Sequence, residues 1–97
     1  MRIEFIKAID KVCREYSDIV LRFSDIVSCK TFVDDSYDIL ESALVHCKND
    51  REMFEFNLRV DMFADSFEVS VSEVEGSPYS CDNFMVILDR EYNIIAN

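Results

Sequence analysis

The sequence predicts an α+β fold in which two N-terminal helices pack on a three- to four-stranded antiparallel sheet. Apolar residues recur every three or four positions in the first half of the chain and every second position in the second half. With one glycine and one proline among 97 residues, long regular elements joined by short connections are favoured. A chain of this length fits a single α+β domain, residues 1–97, with a modest core.

The first predicted helix spans about residues 2–28. Asp10 and Arg14 lie four positions apart, the spacing at which opposite charges attract along a helix. The alternation of apolar residues over 18–24 also fits a strand, so that segment has two interpretations. The long helix is favoured because apolar residues continue at alternating steps of three and four: Ile6, Ile9, Cys13, Tyr16, Val20, Phe23 and Val27.

A second helix is predicted over about 36–47. It follows three residues that are good N-caps, Asp34, Asp35 and Ser36, and the carboxylates there also complement the helix dipole. On this interpretation His46 lies near the C-terminus of the helix, where a basic side chain is favourable. The apolar residues that define the helix again recur at helical spacing: Ile39, Leu40, Ala43, Leu44 and Cys47.

The rest of the chain predicts strands over about 53–63, 67–74 and 83–89, with a short fourth over 94–96. The first two alternate apolar and polar residues, as expected when one face lies in the core and the other in water. A tight turn joins them into a hairpin. Gly76 and Pro78 then interrupt the pattern and begin the longest loop.

Charge is unevenly distributed along the chain. Residues 1–30 carry six basic and five acidic side chains, a net charge of +1, whereas residues 31–97 carry four basic and fifteen acidic side chains, a net charge of −11. A compact domain with this much uncompensated charge destabilises itself by self-repulsion. The charge therefore serves solubility or attracts a positively charged partner.

The chemistry of the side chains argues against an enzyme and against a metal or cofactor. The cysteines, Cys13, Cys29, Cys47 and Cys81, lie 16, 18 and 34 residues apart, without the short spacing of a zinc site. We expect them to be buried thiols. The single histidine adjoins Cys47, but successive helical residues do not face each other, and no phosphate-binding or dinucleotide motif is present.

Carboxylates are the candidate binding residues. Alternate residues of a strand lie about 6.7 Å apart, close to the spacing of phosphates along a nucleic-acid strand, so acids at such intervals would fit a groove lined with Lys and Arg. A solvated polar face is the plainer interpretation. The residues expected to form the acidic surface lie on the second helix, the hairpin and the following loop: Asp34, Asp38, Glu41, Glu55, Asp61, Glu68, Glu73, Glu75 and Asp82.

The third strand is apolar on both faces, so both must be covered. If the helices cover one face, Met85 and Ile87 point outward together with Phe63. Either the C-terminal segment covers them or they form the contact of a homodimer, since a self-complementary patch favours a two-fold pair. Both alternatives stay open from sequence alone.

In size and charge the chain resembles the small acidic nucleic-acid mimics with which phages inhibit restriction and CRISPR nucleases, and the immunity proteins that cap nuclease toxins. The resemblance covers composition only, so it transfers no residues. It implies a non-catalytic inhibitor or adaptor that binds a basic surface of a nucleic-acid-binding protein or nuclease, rather than nucleic acid or membrane directly. The alternative is a structural or assembly protein that uses an apolar interface, with acidity only for solubility.

The expected location is the cytoplasm, or the host cytoplasm if a phage encodes the chain. No apolar run approaches the roughly 18 residues of a membrane span. The first ten residues alternate charged and apolar side chains, unlike a signal peptide.

Overall fold

The computed structural model describes residues 1–16, 23–33 and 38–97. Within them, one α-helix and a short 3-10 turn (Phe23–Asp25) accompany six strands. All six form one antiparallel sheet in which each strand pairs with its neighbours along the chain. The elements are α1 (Ile3–Tyr16), β1 (Ile26–Phe32), β2 (Glu41–Asn49), β3 (Phe54–Met62), β4 (Ser66–Ser72), β5 (Phe84–Asp89) and β6 (Ile94–Ala96).

The predicted arrangement of two helices on a three- to four-stranded sheet is therefore wrong. Most of the predicted second helix, 36–47, is strand β2, while residues 36 and 37 lie outside the described part of the chain. Ala43, Val45 and Cys47 are fully buried on one face of β2. Leu44 is half-buried on the other face. Together with Ala43 and Cys47 it gave a spacing that resembles a helix, although the residues of β2 alternate with a period of two.

The predicted first helix is also too long. Helix α1 ends at Tyr16, residues 23–25 form the 3-10 turn, and Ile26–Phe32 is a strand. Residues 17–22, which include most of the alternative strand over 18–24, lie outside the described part of the chain. Strand β1 shows no apolar alternation because both of its faces are largely exposed. Its β-branched and aromatic residues were the available strand signal.

Helix α1 packs across β3 and β4. Its buried residues recur at i, i+3, i+4, i+7 and i+8, one stripe facing the sheet: Phe5, Ala8, Ile9, Val12 and Cys13. This stripe is rotated from the predicted one, since Ile6 is half-buried and Tyr16 is exposed. Among the described residues, no helix combines the length and apolarity that a membrane crossing requires.

The strands expected over 53–63, 67–74, 83–89 and 94–96 coincide in position with β3 to β6. Val60 of β3 lies opposite both Ala43 of β2 and Val69 of β4, so the buried residues form rows across the sheet beneath α1. The core thus lies between the helix and one face of the sheet. No described helix covers the opposite face, which we call the open face.

Candidate partner-binding surface

The open face is held by a polar network that centres on Asp61 of β3. The Asp61 carboxylate accepts hydrogen bonds from Ser42 Oγ at 2.6 Å and from Arg59 Nε at 3.0 Å. Ser42 is fully buried and Asp61 is 8% exposed. Buried polar groups need such partners, because leaving one unpaired is costly. This carboxylate therefore has a structural role, and its charge is compensated by Arg59.

A second polar pair lies towards the other end of the same face. His46 Nε2 and Glu55 Oε2 are 2.6 Å apart. Glu55 is only 6% exposed, and hydrogen bonds from Ser77 and then His46 hold its pKa below the usual value. A carboxylate that accepts bonds in its charged form titrates at lower pH. The pair joins β2, β3 and the β4–β5 loop.

The β4–β5 loop, residues 73–83, is fixed by its own hydrogen bonds. Tyr79 Oη donates to Asp50 Oδ1 at 2.9 Å, which ties the loop to the turn between β2 and β3 and raises the pKa of the Tyr79 phenol. Asn83 Oδ1 accepts the backbone N–H of Glu73 at 2.8 Å. Gly76 adopts a φ of 81° in the turn, a conformation that favours glycine. The loop is therefore a defined part of the fold.

Five exposed carboxylates lie on this loop and on the adjacent β2–β3 turn, all at the same end of the sheet. We call four of them, all except Glu52, the acidic rim: Asp50, Glu73, Glu75 and Asp82. Lys48 forms an ion pair with the rim, with Nζ 3.9 Å from Asp50 Oδ1. An ion pair this long and exposed contributes little. The five carboxylates outnumber Lys48 and Arg51, the basic residues of the β2–β3 turn and its flank, so this end of the sheet carries net negative charge on a fixed backbone.

The nine acids expected to form one surface do not do so. Glu73, Glu75 and Asp82 belong to the rim, whereas Asp38 and Glu41 lie at the opposite end of the sheet, roughly 20 Å away along the strands. Asp38 is exposed in a turn. The carboxylate of Glu41 is half-buried and lies 2.9 Å from Arg2 Nη1.

The remaining predicted acids differ more from expectation. Asp34 lies outside the described part of the chain. The expectation that Glu55 and Asp61 face water is wrong, because cross-strand partners and the loop bury them. Glu68, half-buried on the open face, lies opposite Asp61. A ladder of exposed carboxylates along the hairpin is therefore absent from the described strands.

The predicted dimer contact is divided as well. Met85 and Ile87 lie two positions apart on the open face of β5, opposite Ser70 and Glu68. Met85 is 48% exposed and Ile87 is half-buried. Phe63 lies beyond the end of β3, at the turn into β4, where its carbonyl accepts a hydrogen bond from Arg90 Nη1 at 2.7 Å. Strand β4 therefore lies between Phe63 and the other two residues.

Several residues with structural roles at this surface escaped prediction. His46 was expected at the C-terminus of a helix, and that is wrong because it lies within β2. Tyr79 and Ser77 lie in a loop without periodicity, so only their hydrogen-bonding groups could have drawn attention. The structure also corrects the expectation of four buried thiols: Cys29 is exposed and Cys81 is half-buried.

Two concave regions on the described surface could receive a ligand. A cleft of about 440 Å³ between the end of α1 and the sheet is lined by Phe56, Phe84, Cys13 and Cys81 among others. Burial raises the pKa of Cys13 to about 11 and also raises that of Cys81, so neither thiol is activated for attack. A groove of about 420 Å³ on the open face includes His46. Residues 1–16, 23–33 and 38–97 contain no cluster of side chains suited to a metal ion.

Comparisons with known proteins add no relative. A scan of the sequence against protein-family models found no match, and searches of curated proteins and of solved structures found no significant match.

Proposed function

We propose that the protein is a non-catalytic cytoplasmic inhibitor or adaptor that binds a basic surface of a nucleic-acid-binding protein or nuclease through its acidic rim. The observation that carries the proposal is the hydrogen bond between Tyr79 and Asp50. It fixes the β4–β5 loop against the β2–β3 turn and so groups Asp50, Glu73, Glu75 and Asp82 at one end of the sheet.

Preorganisation supports this function over simple solubility. Charges scattered on mobile side chains would keep the chain in solution equally well. Carboxylates on a fixed loop cost less to order when a partner binds. Their field also attracts a basic partner from a distance, which raises the association rate and makes the affinity depend on salt.

The choice of a basic, nucleic-acid-binding partner follows from the sign and size of the charge. The chain carries a formal net charge of −10, which repels nucleic acid and anionic lipid alike. Surfaces that bind phosphates are rich in Lys and Arg. A domain with a fixed acidic edge would compete with nucleic acid for such a surface.

The test begins with affinity capture from cells that encode the chain, followed by measurement of Kd for the captured protein. We expect Kd to rise as salt is raised from about 50 to about 500 mM, and duplex DNA or RNA to compete. The rim variant Asp50→Asn, Glu73→Gln, Glu75→Gln, Asp82→Asn should bind about tenfold more weakly at low salt.

A matched control shows whether the affinity depends on where carboxylates are removed or only on how many are removed. The variant Asp38→Asn, Asp65→Asn, Glu15→Gln, Glu91→Gln removes four exposed carboxylates outside the rim, two Asp and two Glu as in the rim variant. We expect it to retain most of the affinity. Equal losses in both variants, or a Kd that does not change with salt, would exclude the rim as the binding surface.

A further inference from the structure

Strand β1 is an open edge of the sheet. It pairs with β2 on one side, and no described strand pairs with its other side. Its seven residues are the longest unpaired edge, since β6 at the opposite edge has three. The five central residues of β1 are exposed, so neither the edge nor its faces are covered by the described part of the chain.

This edge is only partly protected against pairing with another strand. Native edges are usually protected by charged side chains, proline or bulges. Ile26–Phe32 contains no proline and one charged residue, Lys30, although the pairing with β2 is irregular between Ile26 and Ser28. Val27 is 59% exposed. The backbone N–H and C=O groups on the open edge of β1 are therefore available to another strand.

We propose that β1 pairs with β1 of a second copy, antiparallel, about a two-fold axis that passes beside Cys29. Cys29 is the central residue of Ile26–Phe32, so this register places all seven residues opposite the second copy, with the irregular step between Ile26 and Ser28 at each end of the pairing. Ile26 then lies opposite Phe32 of the second copy, and Ser28 opposite Lys30. The interface is the self-complementary kind that two-fold symmetry requires.

The distribution of charge supports a second copy as the occupant and selects the register. Among the six described strands, β1 is the one with a net positive charge, so two acidic copies approach each other best at this edge. Centring the pair on Lys30 would place two ammonium groups opposite each other, which is unfavourable. Centring it on Cys29 pairs each lysine with a serine.

The pairing has structural consequences beyond the edge. The two sheets become one twelve-stranded antiparallel sheet with both open faces on the same side. The groove that includes Ser28, Lys30 and His46 borders β1, so the two grooves of a dimer meet across the axis. About six to eight backbone hydrogen bonds form, which is a small interface, so the dimer should dissociate on dilution.

Cysteine crosslinking tests the register. In the Cys81→Ser background Cys29 is the one thiol that is neither buried nor half-buried. With copper–phenanthroline as the oxidant, this chain should form a disulfide-linked dimer at least about tenfold faster than a Ser80→Cys chain in the Cys29→Ser, Cys81→Ser background. Ser80 is exposed and distant in sequence from β1. Equal rates for the two chains would overturn the proposal.

Sedimentation equilibrium provides a test without crosslinking. Cys29→Asp places two carboxylates opposite each other at the axis and should remain monomeric with an unchanged circular dichroism spectrum. Ser72→Asp adds the same charge at an exposed position at the end of β4 and should dimerise like the wild type. A wild type that is monomeric at every concentration, or a Cys29→Asp variant that dimerises normally, would overturn the proposal.

The proposed dimer does not depend on the proposed function. The effect of salt distinguishes dimerisation through β1 from binding of a basic partner through the rim. Two acidic copies repel each other, so added salt should strengthen the dimer, whereas it should weaken binding to a basic partner. A dimer that dissociates as salt is raised would contradict pairing through this edge. Either proposal can then fail without the other.

Discussion

His46 Nε2 and Glu55 Oε2 form a 2.6 Å hydrogen bond that runs diagonally between adjacent strands. In the β2–β3 register His46 lies opposite Asn57, and Glu55 lies opposite Lys48. A bond to a carboxylate at this distance places a proton on Nε2. With Ser77 as a further hydrogen-bond partner of Glu55, the pair fastens the base of the β4–β5 loop to the sheet.

The stability of the protein should depend on the ionisation of Glu55. Its pKa is lowered from the usual 4.5, so the folded chain holds this proton less tightly than the unfolded chain. The stabilisation is complete above about pH 4.5 and is lost as the pH falls through the lowered pKa. Glu55→Gln should therefore lower the Tm at neutral pH and flatten the acid side of the stability curve, as measured by thermal denaturation.

The matched control for this prediction is Glu75→Gln, which changes an exposed acid on the β4–β5 loop. It should leave both the Tm and its decline in acid nearly unchanged. If Glu55→Gln preserved the wild-type acid profile, the lowered pKa of Glu55 would not contribute to stability.

The sequence predicted strands best where one face is buried and the other is polar. Over β3 and β4 the period-two pattern is clear, because α1 covers one face only. Strand β2 also alternates. However, Leu44 on its open face gave a helix-like apolar spacing, and the acids before the strand resembled helix N-caps. Strand β1 has no buried face, so it has no period to detect.

The candidate site was predicted less well than the strands, because its geometry depends on non-local contacts. Alternation correctly assigns Glu55 and Asp61 to the face opposite the core, yet it does not show what covers them. Glu55 is buried with His46 and a loop residue, and Asp61 with Ser42, nineteen positions away. Of the rim, the sequence placed Glu73, Glu75 and Asp82 around the loop, whereas Asp50 joins them through the non-local contact with Tyr79.

Asp61→Ala should destabilise the fold by about 1–3 kcal/mol, because it leaves the buried Ser42 hydroxyl without its acceptor. Asp61→Asn retains an acceptor oxygen and should cost less. Urea denaturation measures both. Asp65→Ala, at an exposed position in the following turn, serves as the control and should change stability by no more than about 0.5 kcal/mol. Equal effects at 61 and 65 would contradict the buried network.

Phe5→Ala should cost about 3–5 kcal/mol, because Phe5 is fully buried between α1 and the sheet. Ile3→Ala is the control on the same helix, at a residue that is 57% exposed, and should cost far less. Denaturant unfolding of both variants measures how firmly the single described helix packs. A small effect at Phe5 would mean that α1 contributes little to the core.

The four thiols should divide into three reactivity classes with Ellman's reagent. Cys29 is exposed and should react first, and half-buried Cys81 should react more slowly, because burial raises its pKa. Burial also raises the pKa of Cys13 to about 11 and that of Cys47 to about 12. Since the thiolate is the nucleophile, these two should react only when the protein unfolds. Cys29→Ser should remove the fast phase and leave the others, whereas four equally fast thiols would contradict the packing of α1 on the sheet.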